Sequence, residues 1–201
     1  GIFAALILVA GITSTVYPPS SYKIQPYAKK KSYTIEDLLE RFNINVVPSP
    51  NYTPAQRSAA DIDTIVIHTT EGHYDPKKDF DTNQLNEYYA TIRWFSKQES
   101  RVSAHFIISP TGAITMAVHP MNIAWHATYY NERSIGIECA GWSNDERSWT
   151  PELIDSLAEL VAHLCAIYSV EPNHPESDAL SNGGYFKESG IVGHYQIQSA
   201  G

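Results

Sequence analysis

Apolar residues in this chain fall into short β-prone runs and into stripes of helical period, a pattern that predicts strands alternating with helices. Thr64 to Ile67, closed by Asp63 and His68, has the character of a buried strand. Together with it, the pattern predicts strands over 63–68, 103–109, 113–118, 134–140 and 190–194, and Thr111-Gly112 makes a hairpin of the second and third. Leu85, Tyr88, Tyr89, Ile92 and Phe95 recur at helical spacing within 83–98. Thr150-Pro151, a capping residue followed by proline in the first turn, opens the clearest helix. Its stripe is Leu153, Ile154, Leu157, Leu160, Val161, Leu164, Cys165 and Tyr168, and His163 lies off the stripe, where solvent is expected. Thr34 followed by acids in the next turn predicts a short helix to Phe42. The expected class is α/β, a mixed central sheet flanked by helices.

Two segments change this picture. Ile2 to Ile12 is an apolar run too short to span a bilayer and of the length of a signal-peptide core or a retained anchor, and a Ser, Thr and Pro-rich linker follows it. Glu171 to Lys187, rich in Pro, Asn, Ser and Gly, is a long loop of the kind that borders a functional groove. At 201 residues and 43% apolar content the chain can bury one sizeable core. The formal charge of -8, with no basic stripe beyond Lys29-Lys30-Lys31, excludes a nucleic-acid partner. Membrane contact is expected only through the apolar N-terminal segment. Cys139 and Cys165 read as buried small hydrophobes.

The chemistry concentrates at strand ends. His68 closes its strand and is followed by Thr-Thr-Glu-Gly, and His194 closes Gly190-Ile-Val-Gly in the same way. Paired imidazoles on rigid elements suit a zinc site that keeps one position for water, although either histidine taken alone is better explained as a satisfied strand-end residue. On a two-residue period Glu138 shares a face with Ser134 and Gly136, while Ile135, Ile137 and Cys139 share the other. Such a carboxylate has either a function or a core ion pair, with Arg133 or Arg101 as the candidate partner. Trp94, Trp125, Trp142, Trp149, Tyr129 and Tyr130 offer aromatic faces, at least half of them expected in the core.

Five motifs occur in order: Ser49-Pro-Asn-Tyr52, the strand Val66-Ile-His-Thr-Thr-Glu-Gly72, Val102-Ser-Ala-His-Phe-Ile-Ile-Ser109 with Thr111-Gly112, Ala124-Trp-His-Ala with Tyr130-Asn-Glu-Arg-Ser-Ile-Gly-Ile-Glu138, and Ile191-Val-Gly-His194. Together they resemble the zinc-dependent N-acetylmuramoyl-L-alanine amidases, a family related to the phage lysozyme-type amidases and the peptidoglycan recognition proteins. The resemblance implies an amidase and peptidoglycan-recognition-protein-like fold over 49–201, preceded by the apolar segment and linker at 1–20 and a short helical extension at 21–48. It implies zinc ligation by His68 and His194 and acid/base work by Glu138. It places His126, Trp125, Asn131 and Thr69 in the substrate groove. Where lysozyme-type relatives carry a catalytic tyrosine before the motif histidine, His105 is preceded by Ala104, which implies reliance on the glutamate. The family's third ligand, an Asp or Cys, is expected beyond Gly201. The implied reaction is hydrolysis of the amide between N-acetylmuramic acid and L-alanine in peptidoglycan, for cell-wall turnover or lysis, in the envelope or outside the cell, or as a phage lysin. The alternative is a peptidoglycan-binding module, or an envelope or virion component, with an incomplete metal site.

Overall fold

The structure, a computed structural model, describes residues 33–197. The apolar run at 2–12, its linker, the lysine run and the expected third ligand lie outside the described residues.

Among the described residues eight strands form two sheets. The large one has the order β1 (Asn45–Val46), β5 (Ile114–Met116), β4 (Phe106–Ile108), β7 (Ser134–Cys139), β3 (Thr64–Thr69), β8 (Gly190–Gly193), and the small one pairs β2 (Tyr52–Thr53) with β6 (Ile123–Ala124). All neighbours in the large sheet run parallel except β4 and β5, which form the hairpin expected at Thr111-Gly112, with Gly112 at φ 80°. Gly112 has no room for a side chain, since a Cβ there would lie 2.7 Å from Ser156 Oγ.

Helices cover both faces. On one, α3 (Pro151–Tyr168) lays Leu153, Leu157, Leu160 and Leu164 over Ile65, Ile67, Phe106, Ile108, Ile135, Ile137 and Ile191, and α1 (Ile35–Arg41) adds Ile35 and Leu38. Burying one such side chain contributes about 1.5–3 kcal/mol, so this layer is the main store of stability. Cys139 and Cys165 both lie in it as free, buried thiols. On the opposite face α2 (Phe80–Phe95) packs Tyr88 and Phe95 near Ile107, and the loop after α3 sends Ala179 and Phe186 against Val66 and Val192. The alternation of β7 is as the two-residue period predicts, with Cys139 in the core layer and Glu138 opposite.

His163 is buried rather than in solvent. Its Nδ1 bonds to the Glu159 carbonyl oxygen at 2.7 Å, and Tyr33 and Phe42 from the N-terminal extension meet its ring edge-on. The extension covers a flank of α3 that the apolar stripe alone leaves open. Of the six aromatics considered for stacking, Tyr130 is fully buried, Trp125, Trp142 and Trp149 are partly buried, and Trp94 and Tyr129 are exposed.

Candidate active site

The parallel register sets the site. His68 on β3 is paired in register with Glu138 on β7, and Ile67 is opposite Gly193 at the end of β8, so the next residue, His194, is level with His68. Three residues distant in sequence thereby form one row at the carboxyl ends of adjacent strands, where open α/β sheets place their clefts. The His68 and His194 rings are 4.4 Å apart between centroids at 51°. His194 is the hinge between β8 and the short helical turn α4 (His194–Ile197). The loop after α3 surrounds this turn: Gln196 Nε2 donates to the Pro175 and Ser177 carbonyls at 2.7 and 2.9 Å, and Tyr129 Oη donates to Ile197 O at 2.9 Å.

His126 joins the pair from the connection between β6 and β7. Its Nδ1 lies 3.0 Å from His68 Nε2, and its Nε2 lies 3.3 Å from Ser134 Oγ. The ring rests on Gly136, where a Cβ would come within 2.6 Å of its Cγ and Nδ1. Asn131 Oδ1 accepts the backbone N–H groups of His126 and Ala127 at 3.0 and 2.6 Å, and so braces the Trp-His loop. Trp125 donates its indole N–H to Thr53 Oγ1 at 3.0 Å and forms one wall of a surface depression of ≈ 550 Å³ that also includes Asn51, Glu99 and Arg101. Thr69 donates its hydroxyl to Glu71 at 2.7 Å, and Glu71 also accepts Ser143 N–H at 2.6 Å.

Beneath this row lies a buried polar layer built on Arg57, which belongs to no sequence motif, and on the motif histidine His105. Arg57 buries its guanidinium and donates to the carbonyls of Pro120, Asn131, Glu132 and Ser134. It is satisfied by backbone acceptors instead of a carboxylate, and burial lowers its pKa to about 10. His105 is fully buried, with Nδ1 3.0 Å from Gly136 N and Nε2 2.9 Å from the Arg57 guanidinium and 3.2 Å from the Asn122 carbonyl oxygen. Ala104 beside it is also fully buried.

Burial, with the neighbouring imidazoles contributing, pushes His68 and His126 well below the usual histidine range, and burial lowers His194. All three are thus neutral, the form in which imidazole ligates a metal. Among the described residues Glu138 makes no ion pair: Arg133 pairs with Asp63 instead, and Glu138 Oε2 is enclosed with no hydrogen-bond partner. Burial pushes its carboxyl up to about 8, and the Glu71 carboxylate adds to the shift. Two adjacent neutral imidazoles beside an unpartnered, enclosed carboxylate oxygen fit a cation in this row. The described residues themselves contain no group of three His, Cys, Asp or Glu side chains able to hold a metal ion.

Comparison with known proteins agrees with this geometry. The sequence profile of the N-acetylmuramoyl-L-alanine amidase family matches residues 58–201. N-acetylmuramoyl-L-alanine amidase A of Achromobacter lyticus is 31% identical over 123 residues, which is 61% of this chain and 60% of that protein. The match thus spans about 60% of the length of this curated relative. Among solved structures, the catalytic domain of XlyA superposes with a TM-score of 0.50 at 19% identity, covering 76% of this chain and 84% of that one. The Staphylococcus aureus hydrolase AmiA in complex with its ligand gives 0.50 at 16%, covering 81% and 72%. At these identities the likeness is one of fold.

Proposed function

Because the chain belongs to the N-acetylmuramoyl-L-alanine amidase family, we propose that it hydrolyses the amide joining N-acetylmuramic acid to L-alanine in peptidoglycan, with zinc as cofactor. The observation that carries the reading is the row His68, Glu138, His194, in which two neutral nitrogen donors stand beside one enclosed carboxylate. His68 and His194 would hold the zinc, with the third ligand expected outside the described residues. When bound, zinc supplies a positive charge that acidifies a water and polarises the scissile carbonyl. The charge of a bound zinc would favour the ionised form of Glu138, which takes a proton from the attacking water as the water oxygen bonds to the lactyl carbonyl carbon. The same carboxyl then delivers a proton to the alanine nitrogen as the C–N bond breaks, which leaves a free acid and a free amine. Trp125, Asn131 and Thr69, which the family resemblance assigns to the substrate groove, are the residues that would contact the muramoyl peptide. A site of action in the cell envelope or outside the cell, as a turnover enzyme or a lysin, follows from that substrate.

The absence of a three-ligand group among the described residues favours a second reading, a peptidoglycan-binding module. Incubating the full-length protein, with the expected third ligand included, with a muramoyl-L-alanyl peptide and either zinc or a chelator separates the two. Mass-spectrometric detection of a stem peptide with a free alanine amine, abolished by chelation, supports the amidase. Binding without cleavage at saturating zinc supports the module.

A further inference from the structure

The hydrogen bonds around His126 fix where the protons of the histidine pair reside. Ser134 has one hydroxyl proton and two neighbours, the Tyr130 carbonyl oxygen at 2.6 Å and His126 Nε2 at 3.3 Å. A carbonyl oxygen only accepts, so the serine proton goes to Tyr130 and Ser134 Oγ is left as the acceptor for His126. His126 therefore carries its proton on Nε2. As a neutral imidazole it then presents a bare Nδ1, and the 3.0 Å contact with His68 Nε2 is a bond donated by His68. His68 in turn is the Nε2–H tautomer with Nδ1 bare.

We infer that His126 is a positioning residue, which through the chain Tyr130 O, Ser134, His126 locks His68 as the Nε2–H tautomer and leaves His68 Nδ1 as its donor to a metal. The surroundings allow His126 little other freedom. Gly136 provides the cradle under its ring, Asn131 holds its backbone, and its ring meets those of His68 and His105 at centroid distances of 5.1 and 5.6 Å. Metal-ligating histidines generally donate their second ring N–H to an oriented acceptor, and the loss of that acceptor weakens metal binding by about 10- to 100-fold. Here an imidazole takes the place usually held by a carboxylate or a carbonyl. It orients His68 without adding a negative charge.

This inference rests on the zinc reading only for its consequence, since the proton positions are properties of the metal-free chain. Nitrogen-15 NMR of histidine-labelled, metal-free protein reads them directly: protons on Nε2 of both His126 and His68 are expected, and a proton on His126 Nδ1 with His68 Nε2 bare overturns the inference. Zinc competition against a chelating dye gives the second readout. His126→Asn keeps an acceptor where Nδ1 stood and should stay within a few-fold of the parent chain, whereas His126→Gln and His126→Ala should weaken zinc about 10- to 100-fold. Ser134→Ala is a milder variant that removes the acceptor fixing His126, and it should leave the two His126 tautomers mixed in the NMR spectrum. Equal zinc affinity in the parent, Asn, Gln and Ala chains overturns the positioning role. Failure of the full-length protein, with the expected third ligand included, to take up zinc refutes the cofactor, and the tautomer measurement still decides the inference.

Discussion

Glu138 is the residue on which the chemistry turns, because its Oε2 is enclosed without a partner while the arginine available to it, Arg133, is committed to Asp63. Glu138→Gln keeps the shape and removes the proton acceptor, so hydrolysis of a muramoyl-alanine amide should fall by about two to four orders of magnitude while zinc content stays near that of the parent. Loss of zinc in that variant would make Glu138 a ligand. Gly136→Ala tests the cradle, since the new Cβ would lie 2.6 Å from the His126 ring and force it away from His68. A stability loss of about 1–3 kcal/mol by denaturant titration is expected, together with weaker zinc binding. His68, Glu138 and His194 were legible in the sequence because strand ends and a two-residue period are local patterns. Arg57 and the brace at Asn131 were not, since their partners are backbone groups supplied by remote loops and no side-chain motif encodes them.

At the level of elements, Ser49-Pro-Asn-Tyr52 turns out to be a clamp on the end of α2. Ser49 Oγ donates to Phe95 O at 2.6 Å, and Asn51 Nδ2 reaches Phe95 O, Lys97 O and Ser100 Oγ at 3.2, 2.8 and 2.8 Å. These groups satisfy carbonyls that a helix end leaves open. Asn51→Ala should cost about 1–3 kcal/mol of stability in chemical denaturation, the penalty of stranding buried acceptors, with zinc affinity little changed. The long helices were legible from their stripes and the Thr150 and Thr34 caps, while α2 begins earlier than its stripe suggests because Asp79 caps it through the Thr82 N–H. The two-residue strands β1, β2 and β6 were not legible. They exist only because the tertiary fold brings partners alongside, and two residues carry no period.

Across the whole molecule, the buried histidine layer makes the fold sensitive to acid. Burial, with the Arg57 cation adding, lowers the pKa of His105 from 6.5 to about 3. A group whose folded pKa is depressed takes up its proton first in the unfolded chain, so this contribution is neutral above pH 6.5 and turns against folding as pH falls toward 3. The loss approaches about 5 kcal/mol at the bottom of that window. His68, His126 and His194 are shifted in the same direction. Melting midpoints should therefore drop steadily below pH 6.5, and less steeply in His105→Gln, whereas a flat profile down to pH 4 would contradict the burial of a neutral imidazole.

One ligand candidate stands at an edge of this architecture. Among the described residues β8 is one of the two edge strands of the large sheet, four residues long and paired only with β3, and His194 follows directly after it. Opening of that edge would dismantle the pair while the core strands stay folded, so escape of a bound ion should follow local fraying instead of global denaturation. By mass action, zinc would in turn hold the edge shut. In hydrogen exchange, the amides of Ile191 and Val192 should slow when zinc is added, while those of Ile107 and Ile137, deep in the sheet, should keep their rates.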